Sequence, residues 1–193
     1  MSPPRPKRLN AAGDLVLTDA REFRALADPQ RLTLFDLVGR EGPITHAAAA
    51  THTGLDRTVI DGHLRALESL GLVEGHADGD EVRWSAAAKG IYFEIPDEPD
   101  AQCAARELSN VMLSKYAELP LVWLREQQPE LALEWARATG LVNARVEMTA
   151  DELRGLQDGL ERLLEPFTGR SPGEVPDGAK PVRIMGFFMP EPG

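Results

Sequence analysis

Between residues 56 and 84 the hydrophobic period changes once, and that change restricts the chain to few folds. Ile60, Leu64 and Leu67 fall at i, i+4 and i+7, with Leu70 one turn further. That is the spacing of a single helix face. Asp56 stands where a helix is capped and Gly71 where one ends. Beyond Gly71 the period becomes two. Leu72 and Val73 open an extended run, Asp78-Gly79 is a hairpin turn signal, and Val82 and Trp84 alternate on the return strand. A helix delivered directly into a short hairpin needs further helices to cover its apolar face.

The preceding residues supply them. Thr18 or Asp19 can cap a helix running to Leu26, and Pro29 marks a new start, since proline suits a first helical turn. Leu32, Leu34, Phe35, Leu37 and Val38 make a broad apolar face over 30–40, which Gly42-Pro43 ends. Residues 45–52 read as a short alanine-rich helix terminated by Gly54. Two helices joined by the tight turn Thr53-Gly54-Leu55 and followed by a hairpin describe a winged helix-turn-helix, expected over 14–95. Ile91, Phe93 and Ile95 alternate as a further strand, and the acidic, proline-rich stretch 96–100 reads as a linker.

The second half, 101–193, is expected to be a separate, mainly helical dimerisation or effector domain with strand–helix–strand character. Leu108, Val111, Met112 and Tyr116 share one side of a helix over 101–118, and a second helical stretch over 121–138 contains Trp123, Pro129 and Trp135. Val142, Ala144, Val146 and Met148 alternate as a strand. Thr149 and Glu152 form a capping box for a helix over 150–165 carrying Leu153, Leu156, Leu160 and Leu163. After a Gly/Pro-rich loop, 182–188 reads as a last strand. The fold class is therefore α+β, mainly α with small β elements.

Charge is uneven. Residues 1–13 hold Arg5, Lys7 and Arg8 with no acid, and read as a disordered basic tail. The whole chain of 193 residues carries −10, so any positive face is local. No apolar run reaches the ~18 residues of a membrane span, and the start lacks an apolar signal core. A single cysteine, Cys103, excludes an internal disulfide and fits a cytoplasmic setting. No phosphate loop, GxSxG or HExxH appears, so an enzyme is not expected. The histidines, 46, 52, 63 and 76, stand apart from Cys103, so neither a conventional metal site nor a cofactor is expected.

The stretches 25–35 (ALADPQRLTLF), 54–56 (GLD) and 63–73 (HLRALESLGLV) together resemble the ArsR-like family of bacterial winged-helix transcription regulators. The second half is similar to the strand–helix–strand tail of some actinobacterial members. Where family members often carry Ser-Arg before His-Leu, this chain has Asp61-Gly62, and its wing, 76–82, is acidic.

The resemblance implies a regulator that binds double-stranded DNA, with the second helix of the helix-turn-helix in the major groove. Arg57, Thr58, Asp61 and Arg65 then lie near base edges. Arginine pairs with guanine, threonine bonds or touches a thymine methyl, and an acid accepts from cytosine N4. Alternatively Arg57 and Asp61, at i and i+4, pair with one another on a solvated face. His63 is either a packing residue or a phosphate contact, as is Arg83 on the wing. Thr51 and Thr53 either bond phosphate or satisfy local backbone, and Arg5, Lys7 and Arg8 either enter a groove or stay solvated. A homodimer through the 101–118 helix is expected. Met112, Tyr116, Trp123 and Trp135, with Met185, Phe187 and Phe188, line either an apolar effector pocket or an ordinary core or dimer seam. The alternative functions are a winged-helix module that binds a protein partner, and a small-molecule sensor with little DNA affinity.

Overall fold

The computed structural model describes residues 8–10, 12–168, 170 and 172–191. They divide into two compact units at Arg145 and Val146. The fold is α+β, helical with small sheets.

The first unit opens with β1 (Leu15–Val16), α1 (Ala20–Leu26), α2 (Pro29–Glu41), α3 (His46–Thr53) and α4 (Arg57–Leu70). Short side chains set the helix starts. Asp19 accepts from the Arg21 and Glu22 N–H groups, Asp28 from those of Gln30 and Arg31, and Thr45 from that of Ala48. Such a cap contributes about 1 kcal/mol by satisfying donors that the helix leaves free. Asp56 occupies the equivalent position before α4 but makes no side-chain cap bond. Gly54 and Gly71 end α3 and α4 in the left-handed conformation, with φ of 70° and 85°, which a Cβ would disfavour. The apolar faces read from the sequence meet in one core. Leu32, Leu34, Leu37 and Val38 of α2 and Ile60, Leu64 and Leu67 of α4 are buried together.

The hairpin pairs β2 (Val73–Asp78) with β3 (Glu81–Ala86) in antiparallel register, Asp78 opposite Glu81. The turn is centred on Gly79-Asp80, one residue later than Asp78-Gly79. Only Gly79 has positive φ (63°), the pattern of a turn with glycine at its first central position. Ile44 bridges to Trp84 through two backbone bonds of 2.9 and 2.8 Å, adding a third strand-like segment. Gly75 lies opposite Trp84. A Cβ at residue 75 would sit 3.2 Å from the indole and 3.1 Å from Val82 Cγ1, so a side chain there would require these neighbours to give by a few tenths of an ångström.

Further expectations are corrected in this unit. The tail does not extend to 13. Arg8 donates to Glu22 (2.6 Å) and Thr18, Leu9 bridges to Leu15, and Asn10 Oδ1 accepts from the Asp14 N–H. The strand over 91–95 shortens to β4 (Ile91–Tyr92), which runs parallel to β1. Phe93 instead packs edge-on against Phe23 with centroids 5.3 Å apart. The stretch 96–100 is not a linker between domains, because α5 (Pro99–Tyr116) begins within it and joins the first core. Ala101, Ala104, Ala105 and Leu108, at i, i+3, i+4 and i+7, are buried, and small side chains let α5 lie close along α1. Arg24 of α1 clasps Asp100 at its start. At its end the Tyr116 hydroxyl donates to both Asp36 oxygens (3.1 and 3.0 Å), and Lys115 Nζ donates to Thr33 Oγ1 at 2.7 Å.

The helix expected over 121–138 is broken into α6 (Leu119–Val122), a π turn over Trp123–Gln127, a 3-10 turn over Gln128–Glu130 and α7 (Leu133–Ala138). Pro129 cannot donate to a continuing helix and forces the break. Residues 139–149 form no strand, and Val142 is 92% exposed.

The second unit contains α8 (Ala150–Thr168) and a 3-10 turn at Pro172–Glu174. The capping box forms. The Thr149 N–H donates to Glu152 Oε2 at 2.8 Å, and the Glu152 N–H donates to Thr149 Oγ1 at 3.2 Å. The strand expected over 182–188 is absent. Alternation marks a strand only where a neighbouring strand takes up its N–H and C=O groups, and none does among the described residues. No described residue of this unit is buried.

Candidate nucleic-acid interface

The turn between α3 and α4 is held by a threonine. Thr53 Oγ1 donates to the Ala49 carbonyl (2.7 Å) and accepts from the Leu55 N–H (3.3 Å), while Thr51 donates to the Ala47 carbonyl (3.0 Å). Both hydroxyls therefore serve the local backbone. With Ile60, Leu64 and Leu67 turned to the core, α4 presents Arg57, Thr58, Val59 and Gly62 outward. Arg57 makes no ion pair among the described residues. It lines an open recess of about 90 Å³ with His46, Ala47, Ala50 and Glu81, between the helix pair and the wing.

Asp61 does not pair with Arg57. Its Oδ1 lies 3.1 Å from His46 Nε2 and 3.7 Å from Arg65 Nε. Arg65 also bonds Glu68 at 3.1 Å and places its guanidinium 5.1 Å from the Trp84 ring centre. His46 meets the same indole edge-on at 6.0 Å. A cluster of α3, α4 and β3 side chains thus sits beneath the outward face of α4. Arg83 bonds Asp78 across the wing, and Arg8 is held by Glu22. His63, on the side of α4 nearer α2, meets Gln30 Oε1 at 3.2 Å and lies 3.9 Å from Asp28 Oδ2. Arg5 and Lys7 lie outside the described residues. Arg57 and Thr58 thus come together with Asp61 and Arg65, whereas Arg8 and His63 are engaged elsewhere in the unit. His46 has no signal in the sequence as a site residue, because its partner is fifteen positions away across a turn.

No family model matches the chain. Over 68 residues, 35% of the chain, it is 41% identical to a probable mercury resistance operon repressor of Streptomyces lividans, covering 54% of that protein. Over 72 residues it is 36% identical to the HTH-type transcriptional regulator Rv0324 of Mycobacterium tuberculosis, covering 37% of the chain and 31% of that regulator. The chain thus spans about half the length of the first relative and about a third of the second. Among solved structures, a homodimeric winged helix-turn-helix DNA-binding domain (fragment 1–100) from Mycobacterium bovis, a possible ArsR-family transcriptional regulator, is 30% identical. That match covers 49% of the chain and 75% of the fragment, with a TM-score of 0.34. Over its helix-turn-helix region, the chain is thus similar in sequence to proteins named as transcriptional regulators. An ArsR-like transcriptional regulator from Rhodococcus is 25% identical, over 55% of this chain and 92% of that one, with a TM-score of 0.32.

The expected effector residues do not share one environment. Met112 packs against the first core, and Tyr116 turns its hydroxyl to Asp36. Trp123 and Trp135 are half-buried, in the π turn and in α7. Among the described residues no group of three or more His, Cys, Asp or Glu is placed to hold a metal ion, and Cys103 is exposed. No described helix is long and apolar enough to cross a membrane.

Proposed function

We propose that this chain is a DNA-binding transcription regulator that acts as a homodimer on a pseudo-palindromic, double-stranded operator. The observation that carries it is the first turn of α4. There an arginine without an ion pair among the described residues and a threonine stand outward on a helix whose other face is locked into the core. Such a helix fits the major groove, and a two-fold dimer spaces two of them by about one DNA turn, ~34 Å. The resemblance to ArsR-like regulators and the regulator names of the relatives support the reading. The C-terminal region serves dimerisation or takes an apolar effector that changes the spacing of the recognition helices. Regulation by a conventional thiolate or histidine metal site is not part of the proposal, because such a site needs clustered ligands and Cys103 is the sole cysteine. The setting is cytoplasmic, with no catalysis and no cofactor.

A second reading has its own observation. Arg8, Arg65 and Arg83 all engage acids, so most cations near α4 and the wing are already neutralised. DNA affinity comes largely from cations that displace counterions from phosphate. A winged-helix module that binds a protein partner is consistent with that balance.

A salt-titrated binding assay on the DNA upstream of the chain's own gene, with Arg57→Ala alongside, separates the two. Selective binding that weakens with salt and is lost in Arg57→Ala supports the regulator. Binding no tighter than to random DNA, even at low salt, supports the protein-partner module.

A further inference from the structure

We infer that His46 is a positioning residue for base reading, fixing the Asp61 carboxylate on α4 so that its Oδ2 accepts a hydrogen bond from cytosine N4 in the major groove. The inference rests on the regulator reading above and assigns a base preference to one position.

His46 is the first residue of α3, and its side chain is only 9% exposed. A carboxylate is an acceptor, so the 3.1 Å contact requires Nε2 to carry a hydrogen and donate it to Oδ1. The edge-on contact with Trp84 fixes the ring plane. Arg65 faces the same oxygen from the next turn of α4, and its own guanidinium is held over the indole. Oδ1 is therefore held from two sides, while Oδ2 makes no hydrogen bond among the described residues.

Asp61 is the fifth residue of α4, one turn beyond Arg57, with its side chain 47% exposed. The next residue is Gly62, and a Cβ there would meet nothing within 4 Å, so a base edge can approach beside Asp61 without a clash. An unaccompanied carboxylate would be repelled by phosphate, and the His46 donor and the Arg65 charge offset that repulsion locally. An acceptor-only group presented to the major groove matches the amino group of cytosine.

The test is enrichment of binding sites from a random duplex pool, using the full chain. The wild type should enrich a consensus with a C·G pair at one position per half-site, favoured roughly tenfold or more. Asp61→Asn should move that position toward adenine, which asparagine reads, and leave the others unchanged. His46→Ala should blur that position, and His46→Gln, which keeps an N–H donor, should retain it. Thermal melting followed by tryptophan fluorescence checks each variant's folding. If His46→Ala fails to fold, Asp61→Asn and His46→Gln decide. An unchanged consensus in Asp61→Asn overturns the inference. So does a His46→Ala variant that weakens binding to all sequences equally, since His46 would then only clasp α3 to α4. If the wild type enriches no sequence at all, the regulator reading itself fails, and this inference with it.

Discussion

α4 and α8 carry nearly the same message and meet opposite fates. In α4, Ile60, Leu64 and Leu67 recur at helical spacing and are wholly buried. In α8, Leu153, Leu156, Leu160 and Leu163 recur just as regularly, yet Leu156 is 45% and Leu163 71% exposed. Both helices have correctly placed N-terminal residues, and both are amphipathic. Amphipathic spacing records that a helix needs a cover, not what supplies it. α4 finds α2, α3 and the wing within its own unit, whereas α8 shares its unit with chain that buries nothing.

The largest effect that sharpens the contrast is a matched pair of truncations. Leu64→Ala should cost about 2–5 kcal/mol in urea unfolding, because a fully buried leucine leaves a cavity. Leu163→Ala should change stability by no more than about 0.5 kcal/mol, as exposed sites do. A large, concentration-dependent loss at Leu163 would break the comparison, since a second copy of the chain would then be covering α8.

Next in size is the interface. Arg57→Ala should weaken operator binding by about 1–3 kcal/mol if it reads a base, with a shallower salt dependence if it meets phosphate. A matching change in the second unit, Arg154→Ala, removes only an exposed pair with Asp151 and should leave binding unaltered.

Smaller again are the caps. Thr45→Ala, which frees the Ala48 N–H at the start of α3, should cost about 1 kcal/mol and register in global unfolding. Thr149→Ala removes the same kind of bond from α8, and should fray that helix by hydrogen exchange without moving the melting point of the first unit.

The smallest effect is acid dependence. The hydrogen bond from Arg24 holds the Asp100 carboxyl below the usual carboxylate range. A lowered native value means the contribution is present above the ordinary carboxylate pKa and fades as pH falls through the lowered one. The melting temperature of the first unit should slip in that acidic window, and Asp100→Asn should flatten the slip. Glu152 is lowered in the same direction by the Thr149 N–H and then its hydroxyl, so helix content in α8 should fall over the same range.

How much was legible follows from where each signal resides. The helix-turn-helix and hairpin were readable because caps, glycines and period all act within a few residues. Asp28 and Thr45 with their bonded N–H groups, and Gly54 and Gly71 with their φ values, are local devices. The membership of α5 in the first core was not readable. Its buried face is Ala101, Ala104 and Ala105, and alanine has too little apolar surface to stand out as a stripe. The strands expected at 142–148 and 182–188 failed for the converse reason, since their alternation is visible but the pairing it requires lies outside the segment. At the interface, the sequence placed Arg57, Thr58, Asp61 and Arg65 on one helix. It missed that Asp61 turns to His46 rather than to Arg57, because that choice is made by the crossing of α3 and α4.

The contact between Gly75 and Trp84 also bears on descent. With ring atoms 3.2 Å from where a Cβ would stand, a side chain at 75 presses on the indole. A lineage that acquires a side chain at 75 must shift the indole, and with it the surface on which Arg65 and His46 rest. Two neutral-looking codons on opposite strands of the wing therefore bear jointly on the wiring beneath α4, and a change at 75 should tend to be accompanied by one at 84.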